Sequence, residues 1–382
     1  MKRVAFVFSL LVLSCMLYSQ WSWQNPYPQG NHLYSVHFSD HNYGWAVGNY
    51  GTMIKSSNGG IDWEVLPAIY DQRLRAVFFL DSLTGWVGGL GGLIASTHDG
   101  GATWSENYTD SLNRYREIYF TNPLNGWSHG RYGSIVHSAD GGDTWVTQHQ
   151  DSAYHLNCIY FINDTTGWAV GGGGWNTPAG SAILHTTDGG LNWIPQDSPT
   201  EETLWGVNFI NENQGWACGY SGTILITEDG GEIWSPQTAP TTSDLFDIEF
   251  ANEGKGWAVS TGGEILYTEN GGEDWTIQNK IDVGILRISA VDSLQLCVVG
   301  YSNVILGTTD GGENWEERMH GTRHSFRDVF FLDNNMGWIC GLEGLIQHTE
   351  DGGLNWVEQS LFEAEWLEGI YFTDPQNGWT VG

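Results

Sequence analysis

The sequence predicts an all-β fold of tandem four-stranded sheets, and three observations carry that prediction. A polar turn ending in tryptophan recurs along the chain, first as Ser57-Asn58-Gly59-Gly60-Ile61-Asp62-Trp63 and then as Thr97-His98-Asp99-Gly100-Gly101-Ala102-Thr103-Trp104. Its tryptophans stand at 63, 104, 145, 193, 234, 275, 315 and 356, so successive spacings are 41, 41, 48, 41, 41, 40 and 41 residues. A Gly-Trp pair recurs in register with them, at Trp45, Trp86, Trp127, Trp168, Trp216, Trp257, Trp338 and Trp379. Only the seventh unit departs, with Cys297 in the tryptophan position. The 52 glycines and 21 tryptophans of the 382 residues are the compositional trace of this period.

Within one unit the pattern resolves into four short strands. In the second, Leu74-Arg75-Ala76-Val77-Phe78-Phe79 is rich in the β-branched and aromatic residues that strands favour. Asp81-Ser82-Leu83-Thr84 turns the chain, and Gly85-Trp86-Val87-Gly88-Gly89 returns. Leu93-Ile94-Ala95-Ser96 is the third strand, and Trp104-Ser105-Glu106-Asn107 begins the fourth. Between the last two, glycines able to take positive φ follow an Asp able to accept backbone hydrogen bonds. The tryptophan after them is placed to lie over the turn and seal the unit against its neighbour.

Four strands repeated every 40 to 45 residues are the mark of a β-propeller, whose blades bury both faces only by stacking around an axis. A parallel β-solenoid gives no reason for hairpin turns at this spacing. Eight units are complete, and a ninth begins at Leu367-Glu368-Gly369-Ile370-Tyr371-Phe372, reaches Trp379 and stops at Gly382. Trp21-Ser22-Trp23-Gln24-Asn25 resembles an isolated fourth strand. Joined termini would remove sheet edges, yet the third strand of that blade is missing, so the chain reads either as truncated or as ending in an incomplete blade.

Before the repeats, Lys2 and Arg3 precede an apolar run from Val4 to Leu13 and small residues near Ser19. This reads as a signal peptide over residues 1–19, cleaved near Ser19, with the propeller over 20–382. The expected location is therefore secreted, periplasmic or at the cell surface. Cys15 offers a lipidation reading that the bulk of Leu13 disfavours. The four later cysteines, Cys158, Cys218, Cys297 and Cys340, are scattered inside strands and read as buried thiols, with one disulfide left open.

Charge excludes whole classes of partner. With 14 Lys+Arg against 45 Asp+Glu the formal charge is −31, which argues against nucleic acid and against an anionic membrane surface. No later segment is long and apolar enough for membrane insertion by a helix.

The turn Ser/Thr-x-Asp-Gly-Gly-x-x-Trp resembles the Asp-box, or BNR repeat, of sialidases and other propellers. The fuller unit, with Gly44-Trp45-Ala46-Val47-Gly48, Thr52-Met53-Ile54 and Ser57-Asn58-Gly59-Gly60 in the first copy, is similar to the photosystem II assembly and stability factor family. The resemblance runs from Trp21 to Gly382 and is closest to secreted, non-photosynthetic bacterial members. It implies seven blades and arginines clustered on one face, and it implies a non-catalytic scaffold that binds a protein or other macromolecule.

Propeller ligands generally meet the loops before the first strand and between the second and third. Carrying the register across units places Arg75, Arg116, Arg327 and Trp205 at the second position of first strands, beside Tyr34 and Phe246. The loop after Gly-Trp contributes Tyr50, Arg131, Tyr132, Tyr220 and Tyr301, and the long fourth unit adds Trp175. Packing is the competing account of the aromatics, and a carboxylate partner in the next blade that of the arginines. Asn58, Asp99, Asp140, Asp188, Asp229, Asn270, Asp310 and Asp351 occupy the Asp-box position, where the two asparagines favour a hydrogen-bonding role over calcium. Histidines His98, His137, His185 and His348 are expected at the surface.

Catalysis is not expected. No Gly-x-Ser-x-Gly, His-Glu-x-x-His or phosphate loop is present, and the Arg-Ile-Pro segment of sialidases is missing. No pair of carboxylates stands out for glycoside hydrolysis. No cofactor or metal is implied, and the expected state is a monomer. A carbohydrate-binding or sialidase-like propeller remains the alternative, with Trp175, Trp205 and Tyr220 as stacking platforms.

Overall fold

The computed structural model describes residues 31–381 apart from 69, 109–113, 131, 174–179, 319–325, 334, 342–344, 352–355, 360–366 and 368. Each of the first eight repeats forms one antiparallel four-stranded sheet with strands in sequence order, and the ninth contributes a two-stranded sheet, Gly369–Asp374 with Asn377–Val381. Second strands such as Gly44–Gly48 and Gly85–Gly89 are buried at every residue, as sheets covered on both faces require. First strands carry a bulge near their start, for example between Leu74 and Ala76. The bulge shifts the alternation, so Leu74, Ala76, Val77 and Phe79 are buried while Arg75 and Phe78 are only half-buried.

The recurring turn is a hydrogen-bonded knot. Thr97 Oγ1 accepts from the amides of Asp99 (3.3 Å) and Gly101 (3.0 Å) and donates to Asp99 Oδ1 (2.8 Å). Asp99 in turn accepts the Thr103 amide at 2.8 Å and the Thr103 hydroxyl at 2.5 Å. Hydrogen bonds from Thr103 hold the Asp99 carboxyl down at about 2. Gly100 and Gly101 have φ of 73° and 94°, which only glycine adopts freely. Where asparagine replaces the acid the polarity is reversed. Asn58 accepts the Asp62 amide and donates its Nδ2 to the Asp62 carboxylate, each at 2.9 Å, and Asn270 does the same with Asp274.

Blades are joined by the Gly-Trp tryptophan. Trp45 stacks on Phe79 of the next blade with centroids 3.6 Å apart, Trp86 on Phe120 at 3.5 Å, Trp168 on Phe209 at 3.5 Å and Trp216 on Phe250 at 3.5 Å. Each of these indoles donates its N–H to the first glycine carbonyl of the neighbouring turn, as Trp168 does to Gly230 at 3.0 Å. The glycine before the tryptophan is required by the same packing: a Cβ at Gly85 would stand 2.3 Å from the Phe79 ring. The turn tryptophans meet these phenylalanines edge-on, Trp104 against Phe79 and Trp234 against Phe209. Trp234 and Trp275 also donate to a glutamine of the preceding blade, so sealing is shared between both tryptophan series.

Seven units close the circle. First strands pack in sequence from Leu33–Phe38 to Ile285–Ala290, and the seventh packs back on the first. At this seam the Phe38 amide donates to Ser289 Oγ at 3.3 Å, His41 Nδ1 meets Gln295 Oε1 at 2.8 Å, and Gln295 Nε2 donates to the His41 carbonyl at 2.7 Å. Cys297, the one departure from the Gly-Trp series, lies in the buried cluster with Phe38 and Trp63 of the first unit. The eighth unit packs on the ninth, with Trp338 on Phe372 at 3.7 Å. Each ring blade takes all four strands from its own segment. The candidate closing segment 21–25, and the proposed leader 1–19 with Cys15, lie outside the described residues.

The four described cysteines are buried thiols, and none of them is in a disulfide. The histidines correct the expectation in part. His137, His185 and His348 sit directly across the strand pair from Trp127, Trp168 and Trp338 and lie against those rings at 4.6 to 4.8 Å. They are half-buried, because the cross-strand slot beside each indole is covered by it; His98 is exposed. Among the described residues, no helix is long and apolar enough to cross a membrane.

Candidate binding cup on the ring axis

The bulged first strands direct two layers of side chains at the axis. In the lower layer, polar side chains bond the first-strand amides of the next blade. His37 Nδ1 accepts from Phe79 (3.3 Å), Asn208 from Phe250 (3.2 Å) and Glu249 from Ala290 (3.1 Å). Glu117 and Asp247 do the same one step up, accepting from Ile159 (2.8 Å) and Ile288 (3.0 Å).

The upper layer differs. Tyr34, Arg73, Arg75, Arg114, Arg116, Trp205, Tyr220, Phe246, Leu286, Arg287 and Tyr301 line one cavity of about 400 Å³. Five of the chain's ten arginines meet there, in a protein of net charge −31. Among the described residues that line it, none is a carboxylate.

Aromatic rings hold the guanidinium groups. Arg73 and Arg75 lie over the Tyr34 ring at 5.1 and 5.0 Å, and Arg116 over Trp205 at 5.1 Å. Trp205 stacks in turn on Phe246 with centroids 4.4 Å apart. Arg73 Nε donates to Asn49 Oδ1 at 2.8 Å, and Arg116 Nη1 donates to Asn157. Burial pulls the Arg75 guanidinium down to about 10, with its neighbour Arg73 adding to the effect. One buried donor lining this cavity, Arg75 Nε, has no hydrogen-bond partner, while the Trp205 indole has the Tyr220 side chain as its hydrogen-bonding neighbour. Buried donors are nearly always satisfied, so Arg75 Nε marks a place where an acceptor fits.

Of the candidates read from sequence, the structure brings together Arg75, Arg116, Trp205, Tyr220 and Tyr301. Tyr50 instead borders a separate hollow with Tyr70 and Gln72 and is 72% exposed. Tyr132, at φ 57°, rests edge-on against His155. Both occupy the expected loop, but their left-handed backbone turns them away from the cup. Arg327 lies on Phe326–Phe331 of the eighth unit, outside the circle. Arg131 and Trp175 lie outside the described residues.

Arg73, Arg114 and Arg287 were missed. The first two stand just before a first strand, and Arg287 sits one residue further along than the register position, which Leu286 occupies and buries. The turn residues Asn58, Asp99, Asp140, Asp188, Asp229, Asn270, Asp310 and Asp351 are all engaged by the preceding Ser or Thr hydroxyl within their own knot.

Residues 13–112, 109–196, 191–293, 233–317 and 277–369 each match the family described as photosynthesis system II assembly factor YCF48. The chain belongs to this family. A solved structure described as YCF48 bound to D1 peptide is 21% identical, over 74% of this chain and 93% of that one, with a TM-score of 0.63. YCF48 from Cyanidioschyzon merolae is 19% identical over 73% of this chain and 93% of that one, at 0.51. An ancestral GH74 enzyme is 14% identical over 92% of this chain and 57% of that one, at 0.70. These likenesses establish the propeller fold. No curated protein matches the chain.

Proposed function

We propose that this YCF48-family propeller is an exported, monomeric, non-catalytic scaffold that captures an acidic segment of a protein in the cup on its axis. One observation carries the reading: five arginines face one cavity with no carboxylate among its described lining residues, and the buried Arg75 Nε there lacks an acceptor. Bringing five like charges together costs free energy that the Tyr34 and Trp205 rings and the carboxylates near Arg287 offset in part, and that an anionic partner offsets further. The aromatic floor adds the flat, rigid surface that binding hot spots use. That one relative is described as bound to a D1 peptide supports a peptide over a small molecule. Export rests on the leader-like residues 1–19.

The test is calorimetric titration with a hexa-aspartate peptide and a hexa-serine control. The wild type should bind the first only, and Arg75→Ala with Arg116→Ala should weaken binding at least tenfold with an unchanged melting temperature. Equal binding by the double variant would sink the reading. A second reading, a glycan on the rings of Trp205, Phe246 and Tyr220, is favoured by their stacking and predicts binding of neutral oligosaccharides.

A further inference from the structure

We propose that Arg287 is the innermost anion anchor of the cup and that Asp247, beneath it, sets how much of its charge an acidic ligand receives. The inference rests on the cup as an anion site and adds a control to it. Arg287 lines both the cup and a second cavity of about 380 Å³ directly below on the axis. It is thus the partition between them. One nitrogen, Nη1, is fixed by the carbonyls of Phe246 and Leu286, each at 3.1 Å. At the equivalent bulge position, four other blades carry Ser35, Ala76, Cys158 and Gly206, so a guanidinium there is particular to the seventh.

The lower cavity is acidic: Glu117, Asp247 and Glu249 line it, with Arg287 its sole Lys or Arg among the described lining residues. His37, Tyr119, Tyr160 and Cys158 complete its titratable lining, while Cys218 and His129 lie behind it. The fields of Asp247 and Glu117 hold Arg287 charged despite its burial. A charge shared with carboxylates below attracts an anion above less strongly. Neutralising Asp247 therefore releases attraction toward the cup.

Burial raises the Asp247 carboxyl to about 6 and pushes Glu249 well above its ordinary range. The sign follows: above pH 6 Asp247 is ionised and offsets Arg287, and below it the offset is lost, so anion affinity rises as pH falls.

The experiment titrates hexa-aspartate, which stays ionised throughout, between pH 7.5 and 5.5. Wild type should tighten several-fold on acidification. Asp247→Asn should bind three- to tenfold tighter at pH 7.5 and lose most of the pH dependence, and Arg287→Gln should bind more weakly. Should Asp247→Asn fail to fold, Glu117→Gln, which keeps an acceptor for the Ile159 amide, carries the same expectation of tighter binding. Binding by wild type with no gain in either variant overturns this inference and leaves the cup standing. No binding by wild type overturns both.

Discussion

Trp168 and Trp205 are tryptophans of neighbouring blades put to opposite uses. Trp168 stacks on Phe209 at 3.5 Å and donates its N–H to the Gly230 carbonyl at 3.0 Å, at a blade junction. Trp205 stacks on Phe246 and lies under Arg116, and its N–H reaches no carbonyl but has the Tyr220 side chain beside it. In the junction the indole N–H is matched by a backbone carbonyl, so the indole adds stability. In the cup the buried Arg75 Nε is left unmatched, which costs stability and leaves a site to be filled. The junction series is repeated; the cup is assembled once, from positions that the repeat leaves free to vary.

The largest effect tests the junction half of this contrast. Trp168→Ala should destabilise the ring by about 3–5 kcal/mol, the range for removing a fully buried large aromatic. Urea unfolding measures it, and hexa-aspartate binding well below the midpoint should persist. A loss under 1 kcal/mol would mean that the stacks do not carry the ring.

A sharper comparison exchanges only the indole N–H. Trp168→Phe removes one of the two donors to the Gly230 carbonyl, which keeps Gln196 Nε2 at 3.0 Å, and leaves a gap beside Phe209, costing about 2 kcal/mol. Trp205→Phe removes a donor that no backbone carbonyl accepts and should cost under about 1 kcal/mol while weakening hexa-aspartate binding. If both substitutions shift the melting temperature equally, the distinction between the two tryptophans fails.

The closing seam is next in size. Ser289→Ala strands the buried Phe38 amide, with an expected loss of about 1–2 kcal/mol. Because the seam holds the seventh unit on the first, the loss should appear in the unfolding rate as well as at equilibrium.

How much of this was legible in sequence depends on whether a residue obeys the period. Strand order, the turn knot and the Gly-Trp series follow from residues that recur, so one unit explains all. Closure after seven units was written in the exceptions: Cys297 replaces tryptophan where the seventh blade meets the first, and Ala290 replaces the phenylalanine that Trp257 would otherwise cover. The cup was half legible. Arg75, Arg116 and Trp205 stand in register and were found, whereas Arg287 is displaced one residue and shows itself only when the bulge is seen. Tyr50 and Tyr132 lie in the same loop as Tyr220 and Tyr301 but one residue further along, at the left-handed position that Ser221 and Ser302 fill in later blades.

The smallest effect probes why the turn tolerates both asparagine and aspartate. Where the turn residue is Asp99, Asp140, Asp188 or Asp310, the residue four positions on is Thr103, Thr144, Asn192 or Asn314, a side chain able to donate. Where it is Asn58 or Asn270, that residue is Asp62 or Asp274, an acceptor. Apart from Asp229, where Ile233 offers only its backbone amide, these knots pair one donor with one acceptor, in either order. Asn58→Asp sets two carboxylates against each other at the exposed turn and should cost about 0.5 kcal/mol at pH 7. Adding Asp62→Asn reverses the polarity and should recover most of that loss. Since the penalty needs both groups ionised, it should vanish as pH falls below the carboxylate range. A double variant no more stable than Asn58→Asp would mean that the turn selects these residues singly rather than as a pair.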